Sequence, residues 1–463
     1  HSVKKLDIDE LKEFRDRFDI PLPDSELEGV PYYRPPEDAP EMRYLKERRA
    51  ALGGSIPQRN PDFEALPIPP LSAFDSVTAG SGDREVSTTM AFVRILASIV
   101  RDKQLGERVV PIVPDEARTF GMEGMFRQLG IYSSRGQLYE PVDTGQITVY
   151  REDQDGQVME EGITEAGATA CWLAAATSYA NHNCPLIPFY VFYSMFGFQR
   201  IGDLCWAAGD LQARGFLLGA TAGRTTLNGE GLQHQDGHSH VLSSTVPNCV
   251  SYDPTYGYEL AVIIQHGLEE MYVKKLPRFY YVTIMNENYT QPPMPDGCEE
   301  GIIKGMYLLR PRMGRKSKKT VQLMGSGTIL REVIAAADIL EEQFGVAADI
   351  WSVTSFTELR REGLTIARWN MLHPHEAPKS SHIEECLADK SGPVIAATDY
   401  MKTFADQIRE FVPESYTVLG TDGFGRSDTR EQLRSYFEVD RRFITVAALS
   451  ALVKENVLDA GAV

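Results

Sequence analysis

LIPFYVFYSMFGFQRIGDLCWAAGDLQARGFLLGAT, residues 186–221, begins and ends on runs that are apolar at nearly every position. A strand with one wet face alternates apolar and polar residues. LIPFYVFY and GFLLGAT do not, which is the pattern of strands covered on both faces. Residues 198–212 between them carry helical spacing. Strand, helix, strand in that order implies a parallel pair joined by a crossover helix.

The same pattern extends in both directions. Toward the N-terminus lie a helix at 87–102, with Phe92, Ile95, Leu96 and Ile99 on one face, the strand RVVPIVPD at 108–115, and an Ala-rich helix at 165–179. Toward the C-terminus lie the strand NCVSYDP, a helix at 257–272 and the strand FYYVTIM. A second series begins near Gly305, with strands TVQLMGSG, DIWSVTS, PVIAATDY and YTVLG and helices at 329–344, 401–412 and 442–456. The expected fold class is α/β, with two doubly wound sheet domains at 79–304 and 305–463. Residues 1–78 are expected to form a Pro-rich linker arm with short helices. One helix, at 7–18, is capped by Asp7 with Glu10 at the capping-box position, and a second, at 41–52, ends at Gly53 and Gly54.

Asp and Glu total 65 against 47 Lys and Arg, a net charge of -18. That sign opposes phosphate neutralisation, so no nucleic-acid partner and no anionic membrane surface is expected. An acidic surface suits solubility or a basic partner domain. No run approaches the ~18 apolar residues of a membrane span, and no signal peptide opens the chain. The six cysteines form no CxxC pair, which fits reduced thiols in a cytoplasmic protein.

In doubly wound sheets, ligands gather beyond the carboxyl ends of the strands. Three such ends carry unusual chemistry: Asp115 and Glu116 after RVVPIVP, Tyr193 and Phe196 after LIPFYVFY, and RTTLNGEGLQHQDGHSH (residues 224–240) after GFLLGAT. The last is polar and rich in glycine and histidine, as a ligand-facing loop should be. Glu165, opening the Ala-rich helix, is a first-turn acid favoured by the helix dipole or a carboxylate that exchanges a proton with a heterocycle nitrogen. His234, His238 and His240 with Asp236 suggest an alternative of another class, a metal-dependent hydrolase. HExxH is absent, and hydrogen bonding to loop backbone is the plainer role for these imidazoles. GSG at 325–327 reads as a strand-to-helix turn rather than a phosphate loop, and GTDGFGRSD at 420–428 as a Gly-rich turn after a strand, structural or at an interface.

The strings DEARTFGMEGMFRQLGIYS, YSMFGFQRIGDLCWAAGDLQARGFLLG, RTTLNGEGLQHQDGHSH and LGTDGFGRSDTRE resemble the family of homodimeric, thiamine-diphosphate-dependent pyruvate dehydrogenases (acetyl-transferring). The resemblance covers essentially the whole chain. It implies a transketolase-type architecture, with an aminopyrimidine-binding middle domain followed by a C-terminal domain. It also implies oxidative decarboxylation of pyruvate on thiamine diphosphate and transfer of the acetyl group to the lipoyl-bearing dihydrolipoyl acetyltransferase. A second identical subunit and an N-terminal domain that holds the diphosphate through Mg²⁺ are implied as further partners. That domain's GDG motif is absent here, so the chain is expected to be a fragment that lacks it; a dimerisation fragment, inactive alone, is a further alternative. By position, Glu165 matches the glutamate that hydrogen-bonds the pyrimidine nitrogen, and Phe196 an aromatic packed on that ring. Tyr193 matches a residue near the substrate-derived carboxylate, and His234 a histidine that hydrogen-bonds the pyruvate-derived group. Asp115 and Glu116 match acids near the cofactor, and His1 a loop histidine used in lipoyl acetylation.

Overall fold

The computed structural model describes residues 6–54, 60–114, 117–141, 150–229, 231–312 and 319–462. His1, Asp115 and Glu116 lie outside the described residues. The chain divides into two compact units, residues 1–60 and 61–463. The expected arm is therefore shorter than 1–78. Residues 61–78 belong to the larger unit, where Phe63 and Leu66 are buried and Phe63 packs against Tyr179 at 5.4 Å between ring centroids.

The smaller unit is built on local signals. Its helix Ile8–Arg17 starts where Asp7 accepts the amides of Asp9 and Glu10, while Glu10 returns a bond to Asp7. The helix Pro40–Ala51 opens with proline, whose missing N–H has no partner to lose there.

In the larger unit, the six strands of one parallel sheet run in the order Met159–Glu160, Val109–Val113, Ile187–Tyr193, Phe216–Ala220, Phe279–Thr283, Cys249–Tyr252. The two apolar runs of residues 186–221 thus pair directly, Phe189 with Phe216 and Tyr193 with Ala220. The helices Thr88–Arg101, Glu165–His182, Phe198–Asp210 and Gly257–Tyr272 belong to this half. A five-stranded sheet follows, in the order Met306–Arg310, Ala347–Val353, Thr320–Gly325, Val394–Ala397, Tyr416–Leu419. Its first strand is antiparallel and the rest are parallel. One buried apolar cluster joins the two halves, from Phe92 and Ile264 to Leu330 and Leu449.

Polar groups are also buried at this joint. Asp399, after Val394–Ala397, accepts four hydrogen bonds at 2.6–3.1 Å from the amides and hydroxyls of Thr225 and Thr226, across the two sheets. Asp253, after Cys249–Tyr252, accepts from Thr283 at 2.7 Å and is 1% exposed. Burial, reinforced by the nearby carboxylates of Asp399 and Glu259, pushes its carboxyl up to about 7 from an ordinary value near 3.8.

The sign of the linkage follows. Between those two pH values the folded Asp253 keeps a proton that the unfolded chain has released, so its contribution to stability falls as pH rises through the window. Asp253→Asn cannot ionise. The variant is expected to gain stability relative to wild type from pH 4 to pH 7.5, by about 4 kcal/mol at most at ~1.4 kcal/mol per pH unit. Thermal melts across that range check it, and a gap that does not widen with pH contradicts it.

Candidate functional site

The strand Ile187–Tyr193 delivers Tyr193 to the carboxyl edge of the sheet, and a single turn, Ser194–Phe196, carries Phe196 before the helix Phe198–Asp210 begins. Gly197 makes that sharp exit possible, because a Cβ there would overlap the Phe192 ring. The helix Glu165–His182 starts beside it, capped by the Thr164 hydroxyl on the Gly167 amide at 3.2 Å.

These pieces meet in one continuous cluster. The Arg200 guanidinium donates to Glu165 Oε1 at 2.9 Å and lies 4.1 Å over the Phe196 ring. The His234 ring sits 5.1 Å from Phe196 and 4.9 Å from Tyr193, and Phe120 closes against Tyr193 at 5.5 Å. The Glu165 side chain is 13% exposed and that of Arg200 is 49% exposed. The carboxylate is therefore recessed behind a guanidinium that still meets water. The structure thus brings together Glu165, Tyr193, Phe196 and His234. Sequence reasoning missed Arg200 and Phe120. Arg200 lies in the first turn of the helix that follows Phe196, and its closeness in sequence to that aromatic was its available signal.

The loop of residues 224–240 is a braced structure. Gly229 and Gly231 take φ of +81° and +78°, a left-handed region that costs glycine nothing. Asp236 is fully buried and is the hub. It accepts the amides of His238 at 2.9 Å and Ser239 at 3.0 Å, and also the hydroxyls of Ser194 and Ser239. The Ser194 bond ties the His234 loop to the turn bearing Tyr193 and Phe196. From behind, Arg224 donates to the carbonyls of Thr421 and Gly423, and Gln235 accepts the Arg426 amide at 2.7 Å. The stretch GTDGFGRSD, expected as a Gly-rich turn that is structural or at an interface, is the backing of this loop.

The three histidines do not converge. His238 reaches Gln199 at 3.2 Å and His234 faces the two aromatics. His240 is buried against Phe404 and Tyr400, bonded to Thr283 at 3.0 Å, and held down to about 3 by its burial. Among the described residues, no group of three His, Cys, Asp or Glu side chains is arranged to hold a metal ion. The metal-dependent hydrolase alternative on His234, His238 and His240 is corrected accordingly. Among the described residues, no helix is long and apolar enough to cross a membrane.

Comparison with known proteins bears on the same segments. Residues 66–292 match the pyruvate dehydrogenase E1 component middle domain, and residues 305–440 the transketolase-like C-terminal domain. The chain is 64% identical over 453 residues to the pyruvate dehydrogenase E1 component of Pseudomonas aeruginosa, covering 98% of this chain and 51% of that protein. With the same component of Escherichia coli K12 it is 56% identical over 462 residues, covering 99% and 52%. The chain thus spans about half the length of the curated relatives it matches. A solved transketolase from Campylobacter jejuni shares the fold, with a TM-score of 0.62 at 16% identity over 96% of this chain and 59% of that one. With both matched segments on the two sheets described above, the chain belongs to the pyruvate dehydrogenase E1 component family and carries its middle and transketolase-like C-terminal domains.

Proposed function

We propose that this chain supplies the pyrimidine-binding face of a thiamine-diphosphate-dependent pyruvate dehydrogenase. The full protein would carry out oxidative decarboxylation of pyruvate and reductive acetylation of a lipoyl group on dihydrolipoyl acetyltransferase. We place its middle domain at 79–304 and its C-terminal domain at 305–463. It works as a homodimer, with the diphosphate and Mg²⁺ held by an N-terminal domain outside this chain. The carrying observation is the cluster itself: a recessed carboxylate and an aromatic ring, held within one set of contacts to a tyrosine and a histidine.

That set fits an aminopyrimidine, which offers a flat face to pack and a ring nitrogen to protonate. Phe196 provides the face and Glu165 the proton donor and acceptor. Thiamine diphosphate, when bound, supplies the nucleophilic carbon and the electron sink for decarboxylation. Tyr193 and His234 are the substrate side of the cluster, the phenol toward the carboxylate of pyruvate and the imidazole toward its carbonyl oxygen. Asp236 fixes the imidazole relative to the tyrosine through Ser194. Asp115 and Glu116 are assigned to the cofactor's surroundings and His1 to lipoyl acetylation on sequence match alone.

In the full-length protein, His234→Ala is expected to lower kcat for pyruvate by about 100- to 1,000-fold, the span of one lost polar contact to a reacting group. The dissociation constant for thiamine diphosphate should stay within about twofold, since the imidazole faces substrate rather than the cofactor ring. Steady-state kinetics and a binding titration check both. A large loss of cofactor affinity with normal turnover at saturation overturns the assignment.

A further inference from the structure

We propose that an arginine-lined cavity at the joint of the two sheets, apart from the Glu165 cluster, binds an organic phosphate. The cavity has a volume of about 650 Å³. Five arginines line it against four carboxylates, whereas over the whole chain acids outnumber bases 65 to 47. Its walls come from the segment after Phe279–Thr283, the first turn of Ile329–Phe344, the helix Arg430–Tyr436 and the start of Arg441–Lys454.

Most of its carboxylates are already engaged. Glu287 pairs with Arg434 and, at 2.7 Å, with Arg331. Glu332 pairs with Arg441 at 2.9 Å and Arg434 at 3.6 Å. Asp440 accepts the amides of Arg442 at 2.9 Å and Phe443 at 3.0 Å. The cations are less well matched. Arg430 is held below its ordinary range by burial, and Arg434 and Arg331 push the same way against Glu287. Arg442, exposed, lines the same space.

Guanidinium forks match oxyanions in plane and spacing. Here they converge from three separate elements, which suits the three oxygens of a phosphate better than the two of a carboxylate. The volume lies in the ~300–1,000 Å³ range of small-ligand sites and exceeds what free phosphate needs, so the phosphate belongs to a larger molecule. Arg430 also donates to the Thr226 carbonyl at 2.6 Å.

The test uses the full-length protein with its catalytic site saturated by thiamine diphosphate and Mg²⁺. Calorimetric titration with ATP is expected to show saturable binding. Arg442→Ala and Arg331→Ala should each weaken it about tenfold, a common consequence of losing one charge-assisted hydrogen bond. Both variants should melt within a few degrees of wild type. Absence of saturable binding overturns the proposal, as does an affinity unchanged in both variants. Inorganic phosphate binding as tightly as ATP overturns the organic ligand. A structure of the full-length protein with its own chain filling the cavity overturns the site.

Discussion

Glu165→Ala in the full-length enzyme should lose pyruvate turnover by at least about a hundredfold, the lower end of what a positioned acid–base group contributes. The carboxylate is recessed, and the group it holds, Arg200, is half in water. Removing the carboxylate leaves the guanidinium solvated, so the fold should survive; such partly exposed pairs are worth about 0–1 kcal/mol. Glu165→Gln separates two parts of the role. Glutamine still hydrogen-bonds but cannot exchange a proton, so its turnover should fall as far as the alanine variant's while more cofactor affinity is kept. Turnover near wild type in either variant sinks the proton-transfer role. Circular dichroism and a thermal melt show whether a lost activity is only a lost fold.

The largest effect on stability is expected at Asp399. Its carboxylate takes two amides and two hydroxyls from Thr225 and Thr226 in a fully buried setting, and burial raises its pKa. Alanine there leaves two amides and the Thr225 hydroxyl without this acceptor at the joint of the two sheets, while the Thr226 hydroxyl keeps Thr328 at 2.5 Å. About 3–5 kcal/mol should be lost, the range for breaking a buried charged contact from one side. Asparagine, which keeps one acceptor oxygen and brings two unwanted donors, should fall between. Denaturant melts of the full-length protein measure it. A loss under about 1 kcal/mol means the threonines find other partners and the joint does not depend on this residue.

Much of this architecture was written in local pattern. The helices Gly257–Tyr272 and Ile329–Phe344 have the bounds that their apolar spacing predicts, Ile187–Tyr193 starts one residue late, and Phe216–Ala220 is one residue shorter at each end. Less legible was the helix Phe356–Leu372. Its run TELRREGLTIARWNML has five charged residues scattered among the apolar ones, and the helix buries only Phe356, Thr357, Leu359 and Gly363. An element that covers a sheet with so narrow a stripe has weak periodicity. The antiparallel edge strand Met306–Arg310 was equally silent, because its place depends on pairing with Ala347–Val353, far along the chain. The break between arm and globular unit was misplaced for a similar reason. The proline-rich stretch of residues 61–78 looks like linker, yet it hides Phe63, Leu66 and Phe74.

The site divides the same way. Tyr193, Phe196 and the 224–240 loop stood out because polar or aromatic residues ended apolar strands. Arg200 did not, since an exposed-looking arginine on a helix is ordinary in any chain, and Asp236 stood out only beside the histidines as a metal-site candidate, not as the hub of the loop. Only their partners, Glu165 and Phe196 for one and Ser194 with Ser239 for the other, give them meaning, and those lie up to 42 residues away.

The braces behind the histidine loop share one property. Arg224 binds the main-chain oxygens of residues 421 and 423, and Gln235 binds the main-chain nitrogen of residue 426. The exposed Phe424 can therefore drift among relatives at little cost, while Gly423 with its positive φ, Gly425, whose Cβ would meet Gln235, and the length of the segment cannot. A hybrid enzyme grafting one relative's final domain onto another's should keep a well-formed pocket whenever the spacing from residue 421 to 426 is preserved, and a single inserted or deleted residue there should spoil it.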